Sequence, residues 1–382
     1  MPASPSSEPA GPRAYLDHAS TSPPRPEAVA AVVAWLDAAD PGRVHTEGRM
    51  ARAALEEARA QVAELLGTRP RQVVFTSCGT EAVNAAVHGA LASGRGSHVV
   101  LAEVEHSAVR DASDRAPRTT RVGVDGHGRI DPAALLAAVE ADTALVHCQW
   151  GNHEVGTLQP VREVAAACRE RGVLLHVDAV AAAGHVPVDF DDLGADLLSV
   201  SAHKLGGPKG AGALLVRRGL RLPALLVGGQ QERGRRAGME DVAAWVGFGA
   251  AAATVTGGAL DGEAERARAQ TERLLDAACE IPGVRAYGER GDRLPHIACI
   301  GVDGVEAEAV LLGLDQAGVA AHSGSACASE SLEPSPVLAA MGVEAERSLR
   351  LSVGWSTTDA DIDRAIAALP SVVERLRRLA AG

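Results

Sequence analysis

The chain has 382 residues, 46% of them hydrophobic but only 2% aromatic, and a net charge of −12. At ~100–200 residues per domain this length predicts two or three domains, with cores built from Ala, Val and Leu. The acidic balance leaves no surplus to neutralise phosphates and there are few rings to stack on bases, which argues against direct nucleic-acid binding.

Among the 37 basic residues only Lys204 and Lys209 are lysines; the other 35 are arginines. A codon bias toward Arg accounts for the ratio. Under such a bias a surviving Lys is a candidate for chemistry that Arg, which stays protonated, cannot do. The six cysteines form no C-x-x-C pair and are few for the length, so neither a zinc ribbon nor a disulfide scaffold is expected, and no metal site is predicted. The start, MPASPSSEPAGPR, lacks the basic and apolar regions of a signal peptide. No apolar run approaches the ~20 residues of a membrane span. The expectation is a cytoplasmic protein without membrane contact.

Residues 1–13, rich in Pro, Ser and Ala, read as a disordered tail. In 51–66, Leu55, Ala58, Val62 and Leu65 recur on one helical face and Gly67 supplies the stop. Apolar runs follow at 73–76, 98–102, 143–148, 173–177, 196–200 and 212–216, with helical patterns at 81–92, 131–140 and 161–171. Doubly buried strands alternating with helices predict an α/β domain with a largely parallel sheet. Residues 241–279 read as Ala-rich helix broken at Gly257-Gly258. Shorter strands near 297–302 and 348–353 then predict a smaller α+β domain.

Four segments carry candidate chemistry. Thr76-Ser77-Cys78-Gly79-Thr80-Glu81 runs from strand through a small-residue turn into a helix start, where free amides favour a phosphate; the alternative is an ordinary capped helix with Thr80 as N-cap. In His176-Val177-Asp178-Ala179 the Asp lies at a strand's C-terminal end, where α/β sheets bind ligands, or else it caps a helix. In Ser199-Val200-Ser201-Ala202-His203-Lys204 a lysine follows a strand end, while Lys209 falls in a Gly/Pro turn and reads as a solvated loop residue. Ser201-x-x-Lys204 also fits the penicillin-binding pattern, but the S-D-N and K-T-G it requires are absent. In His322-Ser323-Gly324-Ser325-Ala326-Cys327 the thiol sits among small polar residues, as a reactive loop Cys would, whereas Cys148, Cys168, Cys279 and Cys299 read as core. Gly247-x-Gly249 lies in a helical stretch and is no dinucleotide fingerprint. A phosphate cradle, a strand-end Asp and a Schiff-base Lys together are what pyridoxal phosphate requires.

At this point the sequence resembles a known family. The blocks FTSCGTEAVN, EVEHSAV, NHEVGTLQP, HVDAV, SVSAHKLGGPKGAGALLV, GGQQERGRRAG, HSGSACASESLEPSPVL and LRLSVGWSTT, in that order from Tyr15 to about Asp363, are similar to those of cysteine desulfurases, class V aminotransferase-like enzymes of pyridoxal-phosphate fold type I. The resemblance implies a large α/β domain over 14–256, with a mostly parallel mixed sheet flanked by helices. A small α+β domain over 257–382 would carry the cysteine loop, and 14–22 would pack with it. It implies pyridoxal 5'-phosphate on Lys204, Asp178 on the ring nitrogen, and His106 stacked on the ring and shuttling protons. Gly79, Thr80, Ser201 and His203 would hold the phosphate, and Arg350 with Asn152 the substrate. Cys327, in the longer mobile loop of one subgroup, would accept sulfur from L-cysteine as a persulfide. A homodimer and a protein sulfur acceptor, as in iron–sulfur cluster assembly, are implied partners. Selenocysteine lyase, another class V aminotransferase or lyase, and a weakly active scaffold in a sulfur-transfer assembly are the alternatives. His153 stands where the family often has Asn, Ala181 where it has Gln, Met239 where it has Thr and Gln231 where it has His. The expectation is that His153 alone replaces both ring-hydroxyl contacts, while Met239 lacks the donor for a neighbouring subunit's phosphate.

Overall fold

A computed structural model describes residues 13–323 and 335–381. The chain begins with a two-residue strand, β1 (Ala14–Tyr15), followed by α1 (Pro26–Ala34) and α2 (Thr46–Leu65). The periodic face of α2 is buried as its spacing requires, through Leu55, Ala58, Val62 and Leu65. Its start lies ahead of the periodic stretch because the His45 ring accepts the Gly48 amide and caps the helix.

Strands and helices then alternate: β2 (Val73–Thr76), α3 (Gly79–Ala92), β3 (His98–Ala102), α4 (Ser107–Ser113), β4 (Arg118–Val122), α5 (Pro132–Ala137), β5 (Thr143–His147), α6 (Val161–Arg171), β6 (Leu174–Asp178), α7 (Phe190–Leu193), β7 (Leu197–Ser201) and β8 (Gly212–Val216). They form a seven-stranded sheet in the order β2-β8-β7-β6-β5-β3-β4. β3, β4, β5, β6 and β7 run parallel, and β8 is antiparallel to both β2 and β7. Six of these strands read as apolar runs because both faces are covered. β4, of sequence RTTRV, is the exception. It is a half-exposed edge strand held by backbone pairing to β3, so no apolar run announces it.

A short turn, α8 (Gln231–Gly234), holds Glu232 and Arg233 in the left-handed region, at φ 48° and 60°. The strain is offset by the Glu232 carboxylate, which is buried, takes two guanidinium bonds from Arg59 at 2.6 and 2.7 Å, and accepts the Phe75 amide. Next come α9 (Val242–Thr254) and α10 (Gly258–Cys279), bent by 78° at the predicted break, where Gly257 takes φ 56°. Among the described residues no single helix is long and apolar enough to cross a membrane.

The remaining elements are β9 (Val284–Tyr287), β10 (Ile297–Val302), α11 (Ala307–Gln316), β11 (Val319–Ala320), β12 (His322–Ser323), α12 (Pro336–Ala340), β13 (Ser348–Ser352) and α13 (Asp359–Ala381). β12-β13-β10-β9 form an antiparallel sheet, and β11 pairs in parallel with β1. Ala14 and Leu16 are thereby buried with Val319, Leu349 and Val373, so the start of the chain packs into its C-terminal third. One expectation fails here. Cys279 is exposed, because the last turn of α10 turns Leu274, Leu275 and Ala278 inward. Cys148, Cys168 and Cys299 are buried, and burial pushes the latter two thiols up to about 12.

Candidate active site

The loops at the C-terminal ends of the parallel strands converge on a cavity of about 260 Å³. Strand-end placement leaves backbone groups and helix starts facing one crevice. The β2–α3 turn contributes Cys78, Gly79 and Thr80, and the β3–α4 connection contributes His106. Gln149, Gly151 and His153 follow β5, Asp178 and Ala181 end β6, and Ser201, His203 and Lys204 end β7. Ala19 and Ser20 from the N-terminal segment and Arg350 from β13 complete the wall.

The cap of α3 is Cys78, not Thr80: its sulfur accepts the Glu81 amide at 3.5 Å. Thr80 is thus inside the first turn, where amides lack intrahelical partners. A Cβ on Gly79 would meet a Val180 methyl at 2.8 Å, so only glycine lets this turn approach the β6 end. Opposite it, the Ser201 hydroxyl is buried and has no partner among the described residues. His203 binds the Thr21 hydroxyl at 3.2 Å, and burial followed by the charges of Lys204 and Lys209 lowers it to about 4.

Asp178 accepts the Val180 amide at 3.0 Å and the Ser199 hydroxyl at 3.1 Å, both on Oδ1, which leaves Oδ2 to the cavity. The helix-cap alternative does not apply, since no helix follows Asp178 directly. His106 both caps a helix and faces the cavity. It is the N-cap of α4, its Nδ1 accepting the Ala108 amide, and its ring also lines the cavity. His153 meets it edge-on, with centroids 4.9 Å apart.

The Lys204 ammonium donates to the carbonyls of Ala19 and Ser20. Arg350 is 1% exposed and donates to the His153 carbonyl at 2.8 Å, the Ser20 hydroxyl at 2.6 Å and Asp17 at 3.2 Å. Asn152 stands apart from this group. It is fully buried behind the wall, and its amide is spent on the Val104 carbonyl and the Glu154 and Val155 amides. Cys327 lies outside the described residues.

Several groups here were not singled out from the sequence. Glu105 is wholly buried. Its Oε1 accepts the Gln149 amide at 2.7 Å, while Oε2 has no partner among the described residues. Burial, then the nearby Asp178 charge, pushes it up to about 8. His147 and His176 share a 2.9 Å bond between Nδ1 atoms, and burial lowers both. Behind Lys204, His185 donates to its carbonyl and stacks on His296 with centroids 3.6 Å apart, and His18 lies alongside. Glu105 and His176 fall inside the blocks EVEHSAV and HVDAV without being marked there as working residues, and His18, His147, His185 and His296 lie in none of the eight blocks.

These residues fit pyridoxal phosphate. The orphaned Ser201 hydroxyl lies close to the α3 start, where a phosphate could sit, Asp178 has an oxygen that accepts no hydrogen bond among the described residues and could take a ring N–H, and Lys204 is on the same wall. The aminotransferase class-V family model matches residues 14–365. A cysteine desulfurase of Trichormus azollae is 43% identical over 378 residues, covering 96% of this chain and 94% of its own. Cysteine desulfurase IscS of Dictyoglomus turgidum is 38% identical, with 96% and 95% covered. The solved structure of a NifS-like protein superposes with a TM-score of 0.88 at 27% identity, covering 95% of this chain and 100% of its own. SspA in complex with cysteine gives 0.78 at 28% identity, with 89% and 98% covered. The chain belongs to the aminotransferase class-V family and, within it, to the pyridoxal-phosphate-dependent cysteine desulfurases.

Proposed function

We propose that this cysteine desulfurase converts L-cysteine to L-alanine with Lys204, Asp178, His106, Arg350 and Cys327 as its working residues. What carries the reading is the convergence of the Lys204 amine, the Asp178 carboxylate, the Ser201 hydroxyl and the buried Arg350 guanidinium on one cavity. Pyridoxal phosphate, when bound, supplies the electron sink that makes the Cα proton of an amino acid acidic. Gly79, Thr80, Ser201 and His203 would hold its phosphate, and Asp178 would keep its ring nitrogen protonated. His106 would lie against the ring, and His153, edge-on to His106, would supply the contact to its hydroxyl.

Arg350 receives the α-carboxylate, which sets the Cα–H toward Lys204. Lys204 as free amine takes that proton and later returns one. The Cys327 thiolate takes the sulfur, so that the substrate C–S bond breaks, a Cys327 S–S bond forms and the carbon skeleton leaves as L-alanine. The persulfide then passes to a protein acceptor, such as an iron–sulfur assembly scaffold. The cysteine bound to SspA supports L-cysteine as the ligand.

The proposal extends to a cytoplasmic homodimer. Val33, Leu36, Val44, Met50, Val227 and Met239 are exposed large apolar side chains, as an uncovered interface would be. A PLP-binding domain over 14–256 and a small domain over 257–382, with 14–22 packed on the latter, is the division we adopt. The test pairs two variants. Lys204→Ala abolishes borohydride-trappable cofactor, and Cys327→Ser binds L-cysteine but releases no sulfur. Intact trapping in the first, or alanine and sulfide at the normal rate in the second, refutes the assignment of that residue.

A further inference from the structure

Arg350 is bound by this chain's own groups in a way that bears on substrate affinity. A carboxylate held fork to fork uses two neighbouring N–H groups of a guanidinium, either Nη1 with Nη2 or Nε with Nη2. Both forks include Nη2. In this structure both Nη2 protons are engaged, by the Ser20 hydroxyl at 2.6 Å and by Asp17 Oδ1 at 3.2 Å, whereas Nε has no partner among the described residues. Asp17 and the Ser20 hydroxyl therefore share the one nitrogen that every bidentate carboxylate needs, and of the two only Asp17 is an anion.

The contact is built to yield. At 3.2 Å it is longer than a full charge-assisted bond. The Asp17 side chain is 18% exposed while Arg350 is 1% exposed, so the carboxylate has water to turn toward and the guanidinium does not. The backbone beneath is pinned: Asp17 bridges Ser352 in parallel, and the Leu16 carbonyl accepts the Ser352 amide at 2.8 Å. Ser20 donates to Asp17 at 2.8 Å, which returns the carboxylate to the same place. A buried cation without any anion is strongly disfavoured, so an internal counter-charge is what lets Arg350 stay folded into the wall when no ligand carboxylate is there.

We propose that Asp17 is an internal competitor for the amino-acid carboxylate. It neutralises Arg350, is displaced by the α-carboxylate of substrate, and returns as product alanine leaves. It thereby lowers affinity for L-cysteine and L-alanine alike and favours release. The inference rests on the reading of Arg350 as the carboxylate site.

The test is calorimetric titration of the holoenzyme with L-alanine and with L-alaninamide, in chloride-free buffer so that no added anion replaces Asp17. Asp17→Asn and Asp17→Ala should each bind L-alanine roughly three- to tenfold tighter than the parent, the range of a partly exposed ion pair. Alaninamide affinity should stay at the parent value, and KM for L-cysteine should fall with the alanine Kd. Unchanged or weaker alanine binding in both variants overturns the competitor role and makes Asp17 a residue that merely orients Arg350. Arg350→Gln separates the two readings. Loss of the preference for alanine over alaninamide supports the carboxylate site whatever Asp17 does, and a retained preference refutes that site and the inference with it.

Discussion

Replacing Glu105 by Gln should change the pH dependence of stability in a way that its burial dictates. The carboxyl is fully buried, accepts one backbone amide, and has no cation paired with it among the described residues: the Arg110 guanidinium goes to the Glu105 carbonyl instead. Burial, then the Asp178 charge, raises it from 4.5 to about 8, so the folded chain holds it protonated at neutral pH. The stabilisation this preference gives is complete below 4.5 and is lost as pH rises through about 8, because the unfolded chain gains by ionising. Between pH 5 and 7.5 the loss comes to about 3 kcal/mol, at about 1.4 kcal/mol per pH unit for one proton. Gln cannot ionise, so the variant lacks that slope, and any fixed cost of its extra N–H shifts its curve without tilting it. Urea unfolding of cofactor-free parent and Glu105→Gln at several pH values in this window measures the difference. The variant should gain on the parent steadily with pH. Parallel curves would mean that Glu105 is ionised in the fold and would refute the reasoning.

Three further outcomes are expected. Glu232→Gln leaves the buried Arg59 guanidinium with only the longer contact to the half-exposed Glu56 carboxylate and should cost about 3 kcal/mol, read as a large drop in thermal midpoint; a drop of a degree or two would show that the pair is dispensable. Burial lowers His18 and His185 to about 4 and His296 well below 6.5, so the stability tied to their neutral forms is present above 6.5 and is lost as pH falls toward 4. His296→Asn should flatten acid unfolding by about one proton, ~1.4 kcal/mol per pH unit, and an unchanged slope would place that proton elsewhere. His153→Ala should shift the visible absorbance of the holoenzyme and speed cofactor loss on dialysis, and unchanged spectrum and retention would remove His153 from the ring contacts.

Much of the sheet could be read locally. β2, β3, β5, β6, β7 and β8 are short apolar runs, and the two-faced burial that makes them so is a property each strand carries by itself. β4 could not be read, because an edge strand needs only a partner's backbone, and nothing in RTTRV records that partner. Cys279 was misplaced for a related reason: composition marks a thiol as core-like, but the rotation of the last turn of α10 decides which side faces out.

The site divides along the same line. The turn before α3, Asp178 at the end of β6, and Lys204 as one of two surviving lysines were visible in the sequence, since small residues, strand ends and the replacement of Lys by Arg are local or compositional signals. What the sequence could not state is which distant groups meet. Arg350 alternates with leucines as a surface residue would, yet it is buried against Asp17 and Ser20, more than three hundred positions away. Glu105 has no cation partner among the described residues, and the His185–His296 stack lies behind Lys204, because separate strands and loops close on the same volume. The residue types able to do the chemistry are thus written along the chain. Their charge states and competitors are set by burial and long-range packing, which depend on the whole fold.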